Sequence, residues 1–176
     1  PIGSLIYLLF CVTKWGWGFE KYCEEANTGD GIKISKKLKP YVQYRIGKMF
    51  CYGLGTEQDY EKAFEWFERS AKQKNKFAQF SLANLYYYGS GVEKDLSQAF
   101  LWYQRSSSQG QPYAAYSIAQ MYRYGEYVTK DNDTAQRYYK QALSGFLKIE
   151  SDDMANDDLF YKLGQMFKFG LGTDSD

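Results

Sequence analysis

The sequence contains no histidine among its 176 residues. This absence removes the histidine general base, the Ser-His and Cys-His nucleophilic pairs, and most zinc sites. Three cysteines are present, Cys11, Cys23 and Cys51, an odd number without the spacing of a metal site. We therefore expect free thiols in a cytoplasmic chain rather than a disulfide framework. We predict no enzyme activity, no catalytic residues, no metal and no cofactor.

Strong charge of one sign and long apolar runs are also missing. Lys plus Arg number 22 and Asp plus Glu 21, which argues against a dedicated nucleic-acid-binding module but leaves a local basic patch open. The apolar stretch 5–12 (LIYLLFCV) is far shorter than the roughly 20 residues of a membrane helix. We expect a buried helix there, with an interfacial anchor as the alternative. No signal peptide is predicted, and no membrane partner.

What the sequence does contain is a unit that recurs every 36 residues. A fourth copy begins at Tyr161. The recurring positions include Gly47, Ala83 and Ala119; Gly53, Gly89 and Gly125; Asp59, Asp95 and Asp131; Ala63, Ala99 and Ala135; and Trp66, Trp102 and Tyr138. Self-similarity at this period is the signature of a solenoid, in which each unit buries its apolar face by stacking on its neighbours.

The landmarks also resemble a known family. The consensus of the copies is an alanine-x3-leucine/isoleucine-glycine/alanine-x2-tyrosine-x2-glycine run, a second glycine, an aspartate, and an alanine before a Trp-Tyr pair. This pattern, over residues 41–173, resembles the Sel1-like repeat, a helix–turn–helix unit related to tetratricopeptide repeats. The third copy departs from it at Tyr127, which replaces the second loop glycine, and at Tyr138. The resemblance implies an all-α fold, a right-handed α-solenoid (superhelix) of antiparallel helix pairs.

The pattern predicts where the units and their helices begin and end. Residues 1–40 form an N-terminal apolar and helical cap with a basic connector, or a degenerate repeat, and the array fills 41–176. Its units are 41–76, 77–112, 113–158 with an insert, and a truncated copy at 159–176. In each unit a glycine closes the first helix, and Asp59, Asp95 or Asp131 caps the second.

The third unit carries nine extra residues, because Gly164 follows Ala119 by 45 rather than 36. They fall within 147–158 and are expected to lengthen the second helix and add a polar loop. This insert has five carboxylates, but it lacks the glycine turn and terminal glutamate of a calcium loop. We therefore interpret it as a helix cap and a solvated loop.

A more specific resemblance follows from the insert. Residues 161–173 (YKLGQMFKFGLGT) match residues 44–56 at eight of thirteen positions. A GF-L-x-IE segment, an acidic insert and this run resemble the C-terminal region of relaxases from bacterial conjugative elements, proteins that nick transfer DNA. The resemblance implies a fragment of a larger mobilisation protein. A nicking domain needs histidine, so its chemistry would lie outside these residues.

Three polar columns on the first helices are predicted to face outward, and the candidate partner-binding residues within them are Lys48, Asn84, Gln120, Gln165, Tyr87, Arg123 and Lys168. One holds Lys48, Asn84, Gln120 and Gln165; another Cys51, Tyr87, Arg123 and Lys168; the third Arg45, Ser81, Ser117 and Lys162. Asn and Gln offer a peptide backbone both a donor and an acceptor, although solvation alone also explains each residue. Tyr86 and Tyr88 are expected to pack, and Tyr87 to be exposed.

We therefore predict a non-catalytic scaffold that binds a protein or peptide on the concave face of the first helices. The alternative is assistance in DNA handling or relaxosome assembly by the parent protein, through Lys33, Lys36, Lys37 and Lys39. The first helix of the fourth copy lacks its mate, so association of chain ends into oligomers is a further expectation.

Overall fold

The computed structural model describes residues 39–151 and 157–173, which form helices and connecting turns without any strand. The predictions for residues 1–38, including the apolar stretch, Cys11, Cys23, Lys33, Lys36 and Lys37, lie outside the described residues, as does the polar loop at 152–156. The helices are α1 (Lys39–Tyr52), α2 (Tyr60–Lys72), α3 (Lys76–Tyr88), α4 (Leu96–Ser107), α5 (Pro112–Tyr124), α6 (Asn132–Ser151) and α7 (Asp157–Lys168). We call α1, α3, α5 and α7 the A helices, and α2, α4 and α6 the B helices.

The chain divides into two compact units, residues 1–94 and 95–176. The described helices of unit 1 are α1 to α3, and those of unit 2 are α4 to α7. In unit 1 the pair α1 and α2 is antiparallel. Ser70 Oγ near the end of α2 donates to the carbonyl of Pro40 at 2.5 Å, whereas Asp59 N before α2 donates to the carbonyl of Phe50 at 2.9 Å.

Every B helix begins at a capping aspartate, as predicted. The carboxylate of Asp59 accepts the backbone N–H of Lys62 at 2.9 Å, and those of Asp95 and Asp131 each accept two amides of the first turn. These oxygens satisfy donors that have no partner inside the helix. The pKa of each carboxyl is lowered chiefly by these hydrogen bonds and by neighbouring side-chain donors. The three aspartates are structural caps.

Two glycines lie where neighbouring parts of the chain pack too closely to leave room for a side chain. A β-carbon at Gly47 of α1 would lie 2.6 Å from the buried ring of Phe67 on α2. Gly91 has a φ of +68°, and a β-carbon there would lie 2.3 Å from the carbonyl carbon of Tyr60. In the third copy the residue at the Gly91 position is Tyr127, which keeps the left-handed conformation with a φ of +66°. The turn geometry is therefore retained although the glycine is lost.

The core of unit 2 is built where α5, α6 and α7 meet. Its buried members are Ala115, Ala119, Ala135, Tyr139, Ala142, Phe146, Leu159, Leu163, Met166 and Leu171. α6 has 20 residues, against 13 in α2 and 12 in α4, which confirms that the insert lengthens this helix. The hydroxyl of Tyr139 is buried without a hydrogen-bond partner among the described residues. Burial raises the pKa of Tyr139 to about 12.

Candidate protein-binding faces

The structure places all predicted partner-binding residues on A helices, outside the core, but mostly half-buried rather than fully outward. Of the three columns, Lys168 alone is classed as exposed; the half-buried members are Arg45, Lys48, Cys51, Ser81, Asn84, Tyr87, Ser117, Gln120, Arg123, Lys162 and Gln165. In unit 1 the reason is visible, because α3 packs beside α1. The Tyr44 and Phe77 rings stack at 5.8 Å between centroids. Each A helix therefore exposes to solvent only a narrow strip of its surface, which we call its edge.

In unit 1 the edge of α1 carries two cations one turn apart, Arg45 and Lys48. The pKa of Lys48 is lowered, first because burial desolvates the ammonium and second because Arg45 is close. No carboxylate of the described residues forms an ion pair with either cation. Neither α1 nor α3 contains Asp or Glu, whereas α2 has three glutamates. The A helices of this unit are therefore basic, and its acids lie on the B helix.

The thiol of Cys51 lies at the same edge. Burial raises its pKa, and Lys48 opposes that rise without cancelling it. Because the thiolate is the reactive form, this cysteine is a poor nucleophile at neutral pH. The neighbouring Tyr44 also has its pKa raised to about 12, mainly by burial. Because the pKa values of Cys51 and Tyr44 are raised, this edge is better suited to binding a partner than to covalent catalysis.

The tyrosine run on α3 differs in part from the prediction. Tyr86 packs as expected, with its ring 5.4 Å from that of Phe64 in an edge-on arrangement. Tyr87 is half-buried rather than exposed, and Tyr88, expected to pack, is 71% exposed. Tyr88 is the last residue of α3, and the left-handed Gly89 turns the chain away, so its ring lies beyond the packed part of the helix.

An aromatic residue is exposed at the end of every A helix, a feature that the sequence reasoning missed. These residues are Tyr52, Tyr88, Tyr124 and Phe169, which are 62%, 71%, 63% and 51% exposed. Three have a cation over the ring: Lys48, Arg123 and Lys168, at 5.5, 5.6 and 5.3 Å from the centroids. The Tyr88 ring lies 4.9 Å from that of Tyr87. The sequence feature that could have revealed these exposed rings is an aromatic residue directly before the glycine that ends each A helix.

In unit 2 the predicted residues are more fully satisfied by neighbours. Lys162 Nζ lies 2.5 Å from Asp158 Oδ1, and it also lies 5.6 and 5.8 Å from the ring centroids of Tyr113 and Tyr116. Gln165 Nε2 donates to the Tyr161 hydroxyl at 3.0 Å. Burial raises the pKa of Tyr116, and a hydrogen bond with Gln120 opposes the rise. These contacts bring the helices α5 and α7 together at their exposed edges.

Nothing in the described ranges has the geometry of a reaction centre. No group of three His, Cys, Asp or Glu side chains there is placed to hold a metal ion. An open groove of about 640 Å³ lies in unit 2. It is lined by Ser97, Gln98, Phe100, Leu101, Gln104, Tyr127 and Val128. This lining offers no acid–base pair. A membrane crossing would need a longer and more apolar helix than any in the part of the chain that the structure describes.

Comparison with known proteins identifies the family. The family model of the Sel1 repeat matches residues 40–75, 76–111, 112–145 and 161–176, which is more than half of the chain. The chain belongs to the Sel1 repeat family. Its fold class is accordingly the predicted all-α solenoid of helix pairs. Sel1 repeats generally mediate protein–protein interactions and are typically non-catalytic scaffolds.

Two solved structures share the Sel1 architecture. A Sel1 repeat protein from Oxalobacter formigenes is 25% identical with a TM-score of 0.60; the match covers 94% of this chain and 68% of that one. A protective antigen present in uropathogenic Escherichia coli strains, displaying an SLR fold, is 22% identical with a TM-score of 0.63. The match again covers 94% of this chain but 34% of that chain, so this chain spans about a third of its length. No curated protein matches.

Proposed function

We propose that this chain is a non-catalytic scaffold that holds a partner protein against the edges of its A helices. The observation that carries the proposal is the exposed aromatic residue at the end of each A helix, namely Tyr52, Tyr88, Tyr124 and Phe169. The described residues leave these rings exposed to solvent, and such a ring recurs at the end of the A helix in every repeat.

Their chemistry is that of protein interfaces. Tyrosine, tryptophan and arginine are enriched among the residues that dominate the binding energy of such surfaces. The aromatic side chains bury a large area with few rotatable bonds, and all three side chains also form polar contacts. A cation already rests on three of the rings, which fixes both side chains before a partner arrives. Asn84, Gln120 and Gln165 on the same helices supply donors and acceptors for a peptide backbone. We place the partner on this side, the concave side that the family resemblance implies.

We further propose that the array is part of a larger bacterial mobilisation protein in the cytoplasm. The support is the resemblance of the insert and of residues 161–173 to the C-terminal region of relaxases. Sequencing the DNA on both sides of this coding segment tests the idea. We expect the same reading frame to continue into a nicking domain with histidines and a catalytic tyrosine. A complete frame without such a domain would contradict the idea and leave the scaffold proposal intact.

The scaffold proposal is tested with two matched triple variants. The first, Tyr52→Ser, Tyr88→Ser, Tyr124→Ser, removes exposed rings from A helices. The control, Tyr60→Ser, Leu101→Ser, Leu147→Ser, removes exposed apolar side chains from B helices. Proteins captured by the wild type are identified, purified and titrated against all three chains by calorimetry, after circular dichroism has confirmed equal helix content.

We expect the A-helix variant to lose at least about tenfold in affinity for the purified partner, and the control to bind as the wild type does. A second variant, Asn84→Ala, Gln120→Ala, Gln165→Ala, should weaken binding in the same direction. Equal affinity of the wild type and both A-helix variants would place the binding surface elsewhere and refute the proposal.

A further inference from the structure

Two of the three cations of α1, Arg45 and Lys48, are arranged at a cost to the fold. Arg45 and Lys48 are half-buried, repel each other, and have no ion-pair partner among the described residues. Like charges one helical turn apart destabilise a helix. On α2 of the same unit the cations are neutralised: Arg69 lies 3.4 Å from Glu65, and Lys72 lies 2.9 Å from Glu68. The unneutralised pair on α1 therefore contrasts with the neutralised cations near the end of α2.

The surroundings of this pair add groups that suit a peptide. Tyr52, exposed, has Lys48 over its ring at 5.5 Å. On the neighbouring α3 and its following loop, Lys94 lies 5.7 Å from the ring centroid of Tyr87, and Tyr88 is exposed. The positions between them, Ser81 and Asn84, are neutral and polar. The A-helix edge of unit 1 thus combines cations, aromatic rings and amide groups, and neither α1 nor α3 contains Asp or Glu.

We propose that this edge docks an acidic peptide segment of the partner protein, with the carboxylates of the segment on Arg45 and Lys48. Side chains flanking those carboxylates pack on Tyr52 and Tyr88. The inference rests on the scaffold function proposed above and specifies its partner. The described residues place no carboxylate against the pair, and in the complex the partner supplies it.

An acidic peptide fits these groups better than a nucleic acid does. Nucleic-acid binding without base recognition depends on neutralising many phosphates, and proteins that do it carry a strongly basic surface. This chain has a net charge of +1, and its unneutralised cations on α1 are confined to one short edge. Two cations within one turn match the spacing of neighbouring carboxylates on a short segment.

The test uses a displayed library of random twelve-residue peptides and three chains. These are the wild type, Arg45→Gln, Lys48→Gln, and a control, Arg69→Gln, Lys72→Gln, which loses the same charge from α2. Selected peptides are synthesised with a fluorescent label and titrated by anisotropy at two salt concentrations. A single-stranded oligonucleotide of similar length is titrated in parallel.

We expect peptides selected by the wild type to be enriched in Asp and Glu. They should bind the α1 variant about tenfold more weakly and the α2 control unchanged. Equal loss in both variants, or preferential binding of the oligonucleotide, would overturn the acidic-peptide inference. Selection of neutral peptides that the Tyr52, Tyr88, Tyr124 variant loses would overturn it too, but would support the scaffold. Failure to select any peptide would count against both proposals.

Discussion

At the scale of single residues, the same side chain plays different parts in different repeats. Gly47 on α1 and Gly164 on α7 occupy matching positions in segments that are nearly identical in sequence. A β-carbon at Gly47 would strike the Phe67 ring at 2.6 Å, whereas one at Gly164 would have no atom within 4 Å. Packing against Phe67 therefore requires a glycine at position 47, whereas no contact with the described residues requires one at position 164.

Alanine substitutions at the two glycines should move stability in opposite directions. Gly47→Ala should lower the free energy of unfolding by about 1–3 kcal/mol, because Phe67 is buried and the ring must shift. Gly164→Ala, in an open helical position, should raise it by roughly 0.5–1 kcal/mol through helix propensity alone. Urea unfolding of both variants measures the difference. Equal effects would show that the Gly47 and Phe67 contact is not rigid.

The buried hydroxyl of Tyr139 gives a second residue-scale prediction. A buried hydroxyl without a partner carries a desolvation cost of roughly 1–3 kcal/mol, so removing it is neutral or favourable. Tyr139→Phe should therefore leave the free energy of unfolding unchanged or raise it by up to about 1 kcal/mol. Tyr161→Phe, at an exposed hydroxyl, is the control and should change it by less than about 0.5 kcal/mol. A clear loss in Tyr139→Phe would mean that the hydroxyl is hydrogen-bonded in solution.

At the scale of elements, the helix boundaries follow from local chemistry. An aspartate starts each B helix, and a left-handed residue closes each turn, so these limits were predictable from the sequence. The exposure of Tyr88 was not predictable from the same pattern. Helical periodicity places position 88 toward the packed side, but the ring extends past the point where the neighbouring helix stops. Burial at helix ends depends on tertiary contacts, which spacing alone does not encode.

Substitution of one cap should separate hydrogen bonding from charge. Asp95→Ala removes the acceptor of the Ser97 and Gln98 amides and should lower the free energy of unfolding by about 1 kcal/mol. Asp95→Asn keeps an acceptor oxygen and should cost only a few tenths of a kcal/mol. Thermal unfolding at neutral pH compares the two. Equal losses would indicate that the negative charge, rather than the cap, stabilises α4.

At the scale of the whole molecule, the repeat architecture could be predicted from the sequence, because it depends on composition and period. The partner-binding side could be predicted only as columns of polar residues. Which of those residues are neutralised depends on their neighbours: Lys162 lies 2.5 Å from Asp158, one turn earlier in α7, whereas no carboxylate of the described residues pairs with Lys48. Lys48 and Lys162 looked equivalent as polar column residues in the sequence. The side chains that surround them in the structure distinguish the two.

Two tyrosines with raised pKa values, one in each unit, should make the protein sensitive to alkali. Tyr44 in unit 1 and Tyr139 in unit 2 have pKa values of about 12, against about 10 in the unfolded chain. Because the folded state keeps a proton that the unfolded state loses, their stabilising contribution is complete below pH 10 and is lost as the pH rises toward 12. Urea unfolding at several alkaline pH values should show this decline. The decline should be smaller in Tyr44→Phe, Tyr139→Phe, and an unchanged decline would contradict the assignment.

The lengthened α6 has a practical consequence for anyone who labels this protein. Nine additional residues fall within 147–158, where they lengthen α6, and Leu159, Leu163 and Met166 still reach the core beside Tyr139 and Phe146. The packing of α6 and α7 in the core is therefore preserved although this repeat is nine residues longer than the others. We therefore expect the chain between α6 and α7 to accept inserted residues without loss of this packing. A reporter peptide or a fluorophore tether placed there would leave the A-helix edges of both units untouched and ready for a binding partner.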